Sequence, residues 1–261
     1  MAYETLLLEV DARGVATLTM NRPEAHNAMS KALITDLQQA AADLGADDKV
    51  RVVVLTGAGR SFSAGGDLRW MQAQMAADRE TRMREAGGLA KALQALNTLP
   101  KPLIGRINGQ AFGGGMGLIS VCDVAIGVTG AKFGFTETRL GLIPATISPY
   151  VLARMGEAMA RRVFMSARLF GAEEAVTLGL LAQAVEADAL DAAVEAEVAP
   201  YLGVSPQAVA ASKALARSQG PRIDEDLIAD TVRRLANTWE TRDAQEGIAA
   251  FFDKRKPDWT V

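Results

Sequence analysis

Two glycine-rich stretches decide how this chain folds: Phe62-Ser63-Ala64-Gly65-Gly66-Asp67-Leu68 and Asn108-Gly109-Gln110-Ala111-Phe112-Gly113-Gly114-Gly115. Each lies where a predicted strand passes into a predicted helix. The first amides of a helix lack a partner within it, and glycine lets a ligand approach the backbone. Each stretch therefore forms either a tight turn or a site that offers a free N–H group to an oxyanion. The glycines alone do not decide between these two interpretations.

The segments around these stretches alternate between strands and helices, which predicts an α/β fold. Leu6 to Val10 and Val15 to Met20 predict a β-hairpin, and Ser30 can cap the helix that follows. That helix places Leu33, Leu37, Ala40, Ala41 and Leu44 on one face. Further strands are predicted over residues 50–56, 103–107 and 123–128, with a helix from Gly114 onward.

From Ser205 the pattern becomes almost wholly helical. Helices are predicted over residues 206–218, 225–241 and 244–252. We therefore place a domain boundary near residue 203, which separates a core of residues 1–203 from a helical region of residues 204–261. Such a tail packs either on a neighbouring copy or on its own core. Residues 71–97 predict another helical span, either a mobile lid or ordinary scaffold.

The composition excludes several classes of function. A formal net charge of −3 gives no overall positive field to hold nucleic acid or an anionic membrane. His26 is the single histidine, which excludes multi-histidine metal sites, and no Gly-x-Ser-x-Gly pattern exists to pair with it. Phosphate-loop and dinucleotide motifs are also missing from the sequence. The chemistry must come from carboxylates, hydroxyls or backbone amides.

The single cysteine and the N-terminus indicate the compartment. Cys122 cannot form an intramolecular disulfide, and its apolar surroundings in Leu118-Ile119-Ser120-Val121-Cys122 predict burial. Residues 1–10 lack the basic region of a secretory signal, and the longest uncharged run, residues 107–122, is short for a membrane span. We expect a cytoplasmic protein without transmembrane helices.

The two glycine stretches, in this order, resemble the two oxyanion-hole signatures of the crotonase (enoyl-CoA hydratase/isomerase) superfamily. The resemblance extends from Asn21-Arg22-Pro23-Glu24-Ala25-His26-Asn27-Ala28 through Ile143-Pro144 to the segment 251–257. It implies a crotonase-like spiral of ββα units, followed by a C-terminal helical region that supports homotrimers or hexamers built as dimers of trimers. It also implies an acyl-CoA thioester as substrate and no separate cofactor, because coenzyme A is part of that substrate.

The resemblance also assigns roles to individual residues. The amides of Gly66 and Gly114 fall on the oxyanion-hole positions, where each donor contributes roughly 2.7–4 kcal/mol to transition-state stabilisation. Arg22 and Lys254 are similar to residues that meet coenzyme A phosphates, although either basic residue taken alone is an ordinary solvated charge. The path of coenzyme A is expected along Ala25, Ala64, Gly65, Asp67 and Leu68.

Glu137 lies at the acid/base position of the family, within Phe133-Gly134-Phe135-Thr136-Glu137-Thr138-Arg139. The sequence alone favours a surface glutamate paired with Arg139 or Lys132, whereas the resemblance makes Glu137 the catalytic carboxylate. A partly buried position would raise its pKa toward the working range. We therefore expect Glu137 to manage the protons of the reaction.

This chain departs from the family's two-glutamate hydratases, which carry a second glutamate where Gly117 stands here. Glycine cannot transfer a proton, so three functions stay open. An enoyl-CoA hydratase would use Glu137 with water, and a Δ3,Δ2-enoyl-CoA isomerase would need only one carboxylate. A non-catalytic acyl-CoA binder would not need Glu137 at all. We place the hydratase first, because the loop sequences resemble hydratases more closely.

The finer resemblance is to bacterial hydratases that act on methylglutaconyl-CoA and isohexenylglutaconyl-CoA. It rests on Gly117, on residues 144–151 and on Asp67-Leu68-Arg69-Trp70-Met71. Such substrates carry a distal carboxylate, which calls for an arginine or lysine partner. The candidates in this sequence are Arg69, Arg82 and Arg84.

Overall fold

A computed structural model describes residues 3–261 of the chain. Its strands are β1 (Leu6–Val10), β2 (Val15–Met20), β3 (Val52–Gly57), β4 (Ser61–Ser63), β5 (Leu103–Ile107), β6 (Gln110–Phe112), β7 (Val124–Val128), β8 (Lys132–Gly134), β9 (Phe170–Gly171) and β10 (Gln183–Val185). Its α-helices are α1 (Lys31–Ala46), α2 (Leu68–Ala76), α3 (Arg79–Asn97), α4 (Gly114–Val121), α5 (Ser148–Phe164), α6 (Ala172–Thr177), α7 (Leu190–Leu202), α8 (Pro206–Gln219), α9 (Glu225–Trp239) and α10 (Arg242–Phe252). Short 3-10 helices span Pro23–Ala25, Glu137–Leu140 and Ala187–Ala189.

Successive pairs of strands divide between two sheets. The large sheet has the order β1-β2-β3-β5-β7-β10, and the small sheet has the order β4-β6-β8-β9. The pairs β3/β4, β5/β6 and β7/β8 therefore each give one strand to each sheet before the chain enters a helix. This arrangement confirms the predicted α/β spiral of ββα units.

Local patterns account for the first elements. The hairpin of β1 and β2 is antiparallel, with Leu6 opposite Met20, and β2 continues into parallel pairing with β3. The Ser30 side chain accepts a hydrogen bond from the Leu33 N–H at 3.2 Å and caps α1 as predicted. The predicted apolar face of α1 is buried at all five positions. The strand predicted over residues 50–56 begins and ends slightly later, because β3 pairs in register with β2.

The helical span predicted over residues 71–97 is two helices, α2 and α3. The break falls at residues 77–78, where the Asp78 side chain accepts a hydrogen bond from the Thr81 N–H at 2.8 Å and starts α3. The three predicted C-terminal helices are present as α8, α9 and α10. α9 packs on α3 of the same chain, with Val232 against Ala86 and Ala90. Division of the chain near residue 203, and association between copies, remain predictions.

The buried core is mostly aliphatic. The main core fills the space between the sheets and α1, α3, α4 and α5, and Cys122 lies buried within it as predicted. Within residues 3–261, no helix is both long and apolar enough to cross a lipid bilayer.

Candidate active site

The candidate site lies at one edge of the small sheet. β4, β6 and β8 run parallel and pair side by side, so their carboxyl ends meet at the same edge. β4 continues into Ala64-Gly65-Gly66, β6 continues into Gly113-Gly114, and β8 leads to Glu137. The topology therefore brings together both predicted glycine stretches and the predicted carboxylate.

The two glycine stretches pack backbone to backbone. Gly65 has a φ of +90°, and a Cβ atom there would lie 2.9 Å from the Phe112 carbonyl oxygen. Gly113 has a φ of +48°, and a Cβ atom there would lie 3.7 Å from the Gly65 Cα. At Gly115 a Cβ atom would lie 2.8 Å from the Ser63 carbonyl oxygen. The close approach of the two stretches thus requires glycine at these positions.

This packing leaves the N–H groups of Gly66 and Gly114 free. The Met29 N–H donates to the Gly65 carbonyl at 2.7 Å, and the Asp67 N–H donates to the Met29 carbonyl at 3.3 Å. The Gly66 N–H between them has no backbone acceptor in the described part of the chain. Gly114 is the first residue of α4, where an N–H has no intrahelical partner. The two predicted oxyanion donors therefore lie on adjoining loops, and their catalytic role stays a prediction.

Asp67 and Arg22 hold the first loop in place. The Asp67 side chain accepts hydrogen bonds from the Arg69 and Trp70 N–H groups, at 2.9 and 3.3 Å, and so caps α2. Its other oxygen pairs with the Arg22 guanidinium at 2.9 Å, and Arg22 also donates to the Ala28 carbonyl. Burial is the largest single influence on the pKa of Asp67 and raises it. The Arg22 guanidinium and the two backbone hydrogen bonds together outweigh burial, so the pKa of Asp67 is lowered.

Glu137 begins the 3-10 helix that follows β8, and its carboxyl turns toward the second glycine stretch. A Cβ atom on Gly113 would lie 3.2 Å from the Glu137 Oε1. The Oε2 is buried and has no hydrogen-bond partner. Neither Arg139 nor Lys132 forms an ion pair with it within residues 3–261, so the surface-glutamate interpretation is wrong. Burial raises the pKa of Glu137 to about 7.

A cavity of about 390 Å³ opens beside these groups. Six of the predicted site residues line it: Ala64, Gly65, Gly66, Leu68, Gly114 and Glu137. Among all the lining residues, Glu137 is the one acid and Arg139 the one base, and most of the remaining wall is apolar. The cavity can therefore enclose an acyl chain while offering it a single titratable carboxylate.

Four predicted coenzyme A contacts lie outside this cavity wall. Arg22 and Asp67 support the first loop, and Ala25 ends the 3-10 helix just before His26. Lys254 is exposed directly after α10 and has a left-handed φ of +54°. Their contacts with a coenzyme A moiety stay predictions.

The sequence reasoning missed the part that the C-terminal helices play in the site. Leu235 and Trp239 of α9 and Phe251 of α10 line the cavity, as does Met29 between the hairpin and α1. The one signal in the sequence is that tryptophan is rare in this chain and Trp239 lies on the apolar face of a strongly amphipathic segment.

Ile147 occupies the space in front of Gly117. A Cβ atom on Gly117 would lie 2.6 Å from the Ile147 Cγ2 and 3.3 Å from a Leu93 methyl group. Both Gly117 and Ile147 are buried, and Ile147 also lines the cavity. A glutamate at position 117 would not fit this arrangement, so the missing second carboxylate is replaced by an apolar wall.

The other groups singled out by the composition lie away from the cavity or form no cluster within residues 3–261. No group of three or more histidine, cysteine, aspartate or glutamate side chains between residues 3 and 261 is arranged to hold a metal ion. His26 lies outside the cavity wall, with its Nδ1 2.9 Å from the Ser61 Oγ and its Nε2 3.2 Å from the Arg60 guanidinium.

A two-sheet ββα spiral, with two contacting glycine loops and a buried carboxyl beside them, defines the crotonase class of α/β proteins. The family model described as enoyl-CoA hydratase/isomerase matches residues 11–261. The chain belongs to this family, which confirms the predicted enzyme class.

Individual relatives support the assignment along the whole chain. The crotonyl-CoA hydratase of Syntrophomonas wolfei is 34% identical and covers 99% of both chains. A crystal structure of an enoyl-CoA hydratase from Mycobacterium avium matches with a TM-score of 0.86 at 32% identity, over 99% of this chain and 100% of that one. Pseudomonas aeruginosa AtuE matches with a TM-score of 0.80 at 38% identity, over 99% and 100%. The finer resemblance to methylglutaconyl-CoA hydratases stays a prediction.

The burial of Glu137 predicts a stability that depends on pH. The pKa of its carboxyl rises from 4.5 to about 7 on folding, so the folded chain keeps the proton while the unfolded chain releases it. The contribution of Glu137 to stability is therefore most favourable below pH 4.5 and is lost as the pH rises from about 4.5 through 7. Relative to wild type, Glu137→Gln should gain about 3 kcal/mol in unfolding free energy between pH 4.5 and about pH 8. Urea denaturation at both pH values measures this.

The control is Glu9→Gln, which changes an exposed glutamate on β1. Its stability difference from wild type should be the same at both pH values. An equally constant difference for Glu137→Gln would show that the Glu137 carboxyl does not resist ionisation in the folded chain.

The contact between Gly117 and Ile147 predicts strong coupling between substitutions. Gly117→Ala should cost about 1–3 kcal/mol by overpacking, and Ile147→Ala about 2–5 kcal/mol by leaving a cavity. The double variant should cost less than the sum, by about 0.5–3 kcal/mol, because the shorter side chain leaves room for the new methyl group. Denaturant unfolding of the four proteins measures the coupling, and additive costs would refute the contact.

Proposed function

We propose that this protein adds water across the α,β double bond of an acyl-CoA thioester. The observation that carries the proposal is the partly buried Glu137, whose Oε2 is shielded from solvent without a hydrogen-bond partner, beside two glycine loops with free amides. An unpaired buried carboxyl is unfavourable to folding, and such groups cluster at functional sites. This cost is a reason to prefer a catalyst over a non-catalytic acyl-CoA binder, for which Glu137 would be dispensable.

The glycine loops supply the electrostatic part of the reaction. In the proposed complex the thioester carbonyl oxygen accepts hydrogen bonds from the Gly66 and Gly114 N–H groups. These donors stabilise the negative charge that develops on this oxygen when a nucleophile attacks the β-carbon. The apolar cavity strengthens the interaction because little water competes for the oxyanion.

Glu137 supplies the proton transfers. In its ionised form it takes a proton from a water molecule while the water oxygen bonds to the β-carbon, and the π electrons move to form the thioester enolate. The protonated Glu137 then returns the proton to the α-carbon, which restores the carbonyl and the carboxylate. A pKa of about 7 suits both steps, since neither form is strongly disfavoured near neutral pH. One carboxylate suffices for this sequence.

The relatives support a hydratase. The Syntrophomonas wolfei protein is named a crotonyl-CoA hydratase and the Mycobacterium avium structure an enoyl-CoA hydratase. The contacts of coenzyme A with Ala25, Ala64, Gly65, Leu68 and Lys254, and with the loop that Arg22 and Asp67 support, are part of the proposal. So are assembly as a trimer or hexamer and a cytoplasmic location.

A Δ3,Δ2-enoyl-CoA isomerase is the second candidate, and the Gly117–Ile147 contact favours it. An isomerase needs one carboxylate to remove a proton from the α-carbon and deliver it to the γ-carbon. The apolar wall that Ile147 forms in place of a second carboxylate would not hinder this reaction. The same oxyanion donors would serve both reactions, because both pass through the thioester enolate.

We propose a branched glutaconyl-CoA of the methylglutaconyl type as the finer substrate class. None of Arg69, Arg82 and Arg84 lines the cavity. Arg82 instead donates to the carbonyls of α2 and lies 5.5 Å from the Trp239 ring. Arg139 is the arginine in the cavity wall, and it is the partner we propose for the distal carboxylate.

Replacing Glu137 by glutamine should abolish hydration with little loss of binding. Loss of a positioned acid/base group costs about 10²–10⁴-fold in kcat. In wild type, kcat/KM should rise with pH to a plateau around a pKa of about 7, because the ionised carboxylate activates the water. The loss of absorbance of the conjugated thioester of crotonyl-CoA measures turnover, and calorimetric titration with the saturated butyryl-CoA measures binding.

Glu9→Gln serves again as the exposed control and should match wild type. Turnover by Glu137→Gln at the wild-type rate would refute the role of Glu137. Isomerisation would be the function if the wild-type enzyme left crotonyl-CoA unchanged but converted a β,γ-enoyl-CoA into the conjugated thioester, with a gain in absorbance.

The finer proposal predicts a change of selectivity at Arg139. Arg139→Gln should lower kcat/KM for 3-methylglutaconyl-CoA by about 10–100-fold, the amount expected from losing a charged hydrogen bond, and leave crotonyl-CoA hydration nearly unchanged. The ratio of the two kcat/KM values measures this. Arg84→Gln, on an exposed part of α3, is the matched control. A parallel loss with both substrates would remove the distal-carboxylate argument.

A further inference from the structure

The turn that carries Glu137 lies in direct contact with the last helix of the chain. On the turn, Gly141 has a φ of +67°, and a Cβ atom there would lie 2.7 Å from the Ala244 N and against the Asp243 carbonyl. On α10, a Cβ atom at Gly247 would lie 2.6 Å from the Leu140 carbonyl carbon. The two backbones therefore touch at both glycines, with no side chain between them.

The C-terminal tail lies beside the same contact, next to α10. The Trp259 ring lies 2.8 Å from the position of a Gly247 Cβ atom. The Glu246 carboxylate accepts two hydrogen bonds from Arg255, at 2.6 and 2.9 Å, and one from the Asp258 N–H at 2.9 Å. The tail is thus fastened to α10, with Trp259 next to the place where α10 meets the turn.

The Glu137 carboxyl has no hydrogen bond to another side chain that would fix its position. Its placement therefore depends on its own backbone. The Glu137 carbonyl accepts from the Leu142 N–H at 3.1 Å, which closes the turn, and Leu142 packs with Ala244 and Ile248 of α10. The turn is consequently held by α10 rather than by the sheet alone.

We propose that Gly247 is a positioning residue for Glu137, because its contact with Leu140 lets α10 press directly on the catalytic turn. The proposal rests on the proposed function and deepens it. The C-terminal helices then complete the active site of their own chain and do more than associate copies. The charged groups of the two elements are Arg139 on the turn and Arg242, Asp243 and Glu246 on α10, and none of them pairs with Glu137 within residues 3–261.

Gly247→Ala tests the proposal. The added methyl group must push the turn and α10 apart, and a displacement of about 1 Å at a reacting group costs on the order of 100-fold in kcat. KM for crotonyl-CoA should change less than kcat, because Gly247 itself does not line the cavity. Water entering beside the carboxyl should also move the rising limb of the kcat/KM profile to lower pH.

Two control variants, Gly87→Ala and Arg13→Gln, test for general damage. A third variant, Arg255→Gln, is a second test of the proposal. Gly87→Ala places a methyl group on helix α3 where no atom lies within 4 Å, and it should leave kcat and the pH profile unchanged. Arg255→Gln loosens the tail without adding atoms, and it should shift kcat and the pH limb in the same direction as Gly247→Ala but less. Arg13→Gln breaks a similar exposed two-bond pair with Glu195, far from the site, and should do neither. Arg255→Gln keeps the test valid if Gly247→Ala does not fold.

The titration of Glu137 separates failure of this proposal from failure of the proposed function. Infrared difference spectra between each protein and its Glu137→Gln version follow the carboxyl without turnover. A lower titration midpoint in Gly247→Ala supports positioning even if no enoyl-CoA is hydrated. Unchanged kcat, KM and midpoint in both Gly247→Ala and Arg255→Gln would overturn the proposal and leave the hydratase function standing.

Discussion

The contact between the two glycine loops is the constraint on which the rest of the site depends. The loops can approach because a Cβ atom on Gly65 would meet the Phe112 carbonyl and one on Gly115 would meet the Ser63 carbonyl, and because Gly65 and Gly113 have a positive φ that other residues rarely adopt. The approach is possible only because β4 and β6 are parallel neighbours whose carboxyl ends coincide. The spiral sends one strand of each pair to the small sheet. It thereby places the free amides of the two loops next to each other, and the carboxyl that follows β8 lies beside them.

Stability and function pull in opposite directions at Glu137. The Oε2 is buried without a partner, and burial raises the pKa of the carboxyl, so the fold disfavours its ionised form. The same property makes it useful, because a carboxyl that titrates near neutral pH can both take and return a proton. The surrounding core is large and aliphatic enough to tolerate this one unfavourable group.

Sequence patterns predicted most of the elements, and the family resemblance supplied the candidate site residues, but neither predicted the walls of the cavity. The hairpin and α1 followed from local periodicity, and Gly65-Gly66 and Gly113-Gly114 from glycines at strand-to-helix junctions. The role of Ile147 could not be predicted, because it depends on a contact with Gly117 that exists only after α4 and α5 pack. Trp239 was missed for the same reason, since α9 reaches the cavity across α3. The resemblance predicted that Arg22 contacts coenzyme A. Its ion pair with Asp67 could not be predicted, because the two residues lie far apart in the sequence and meet only in the folded chain.

The loss of a second carboxylate and the involvement of α10 belong to one argument. Because Gly117 and Ile147 leave no second carboxylate at the cavity, all proton transfer in the proposed reaction falls to a single side chain. A single acid/base group must reach both the β-carbon water and the α-carbon, so its position tolerates little error. No hydrogen bond from another residue fixes the Glu137 Oε2. In our proposal, the backbone contacts between the turn and α10, at Gly141 and Gly247, fix its position instead. In the proposed mechanism, support from the backbone leaves the Glu137 Oε2 free to exchange a proton with the substrate.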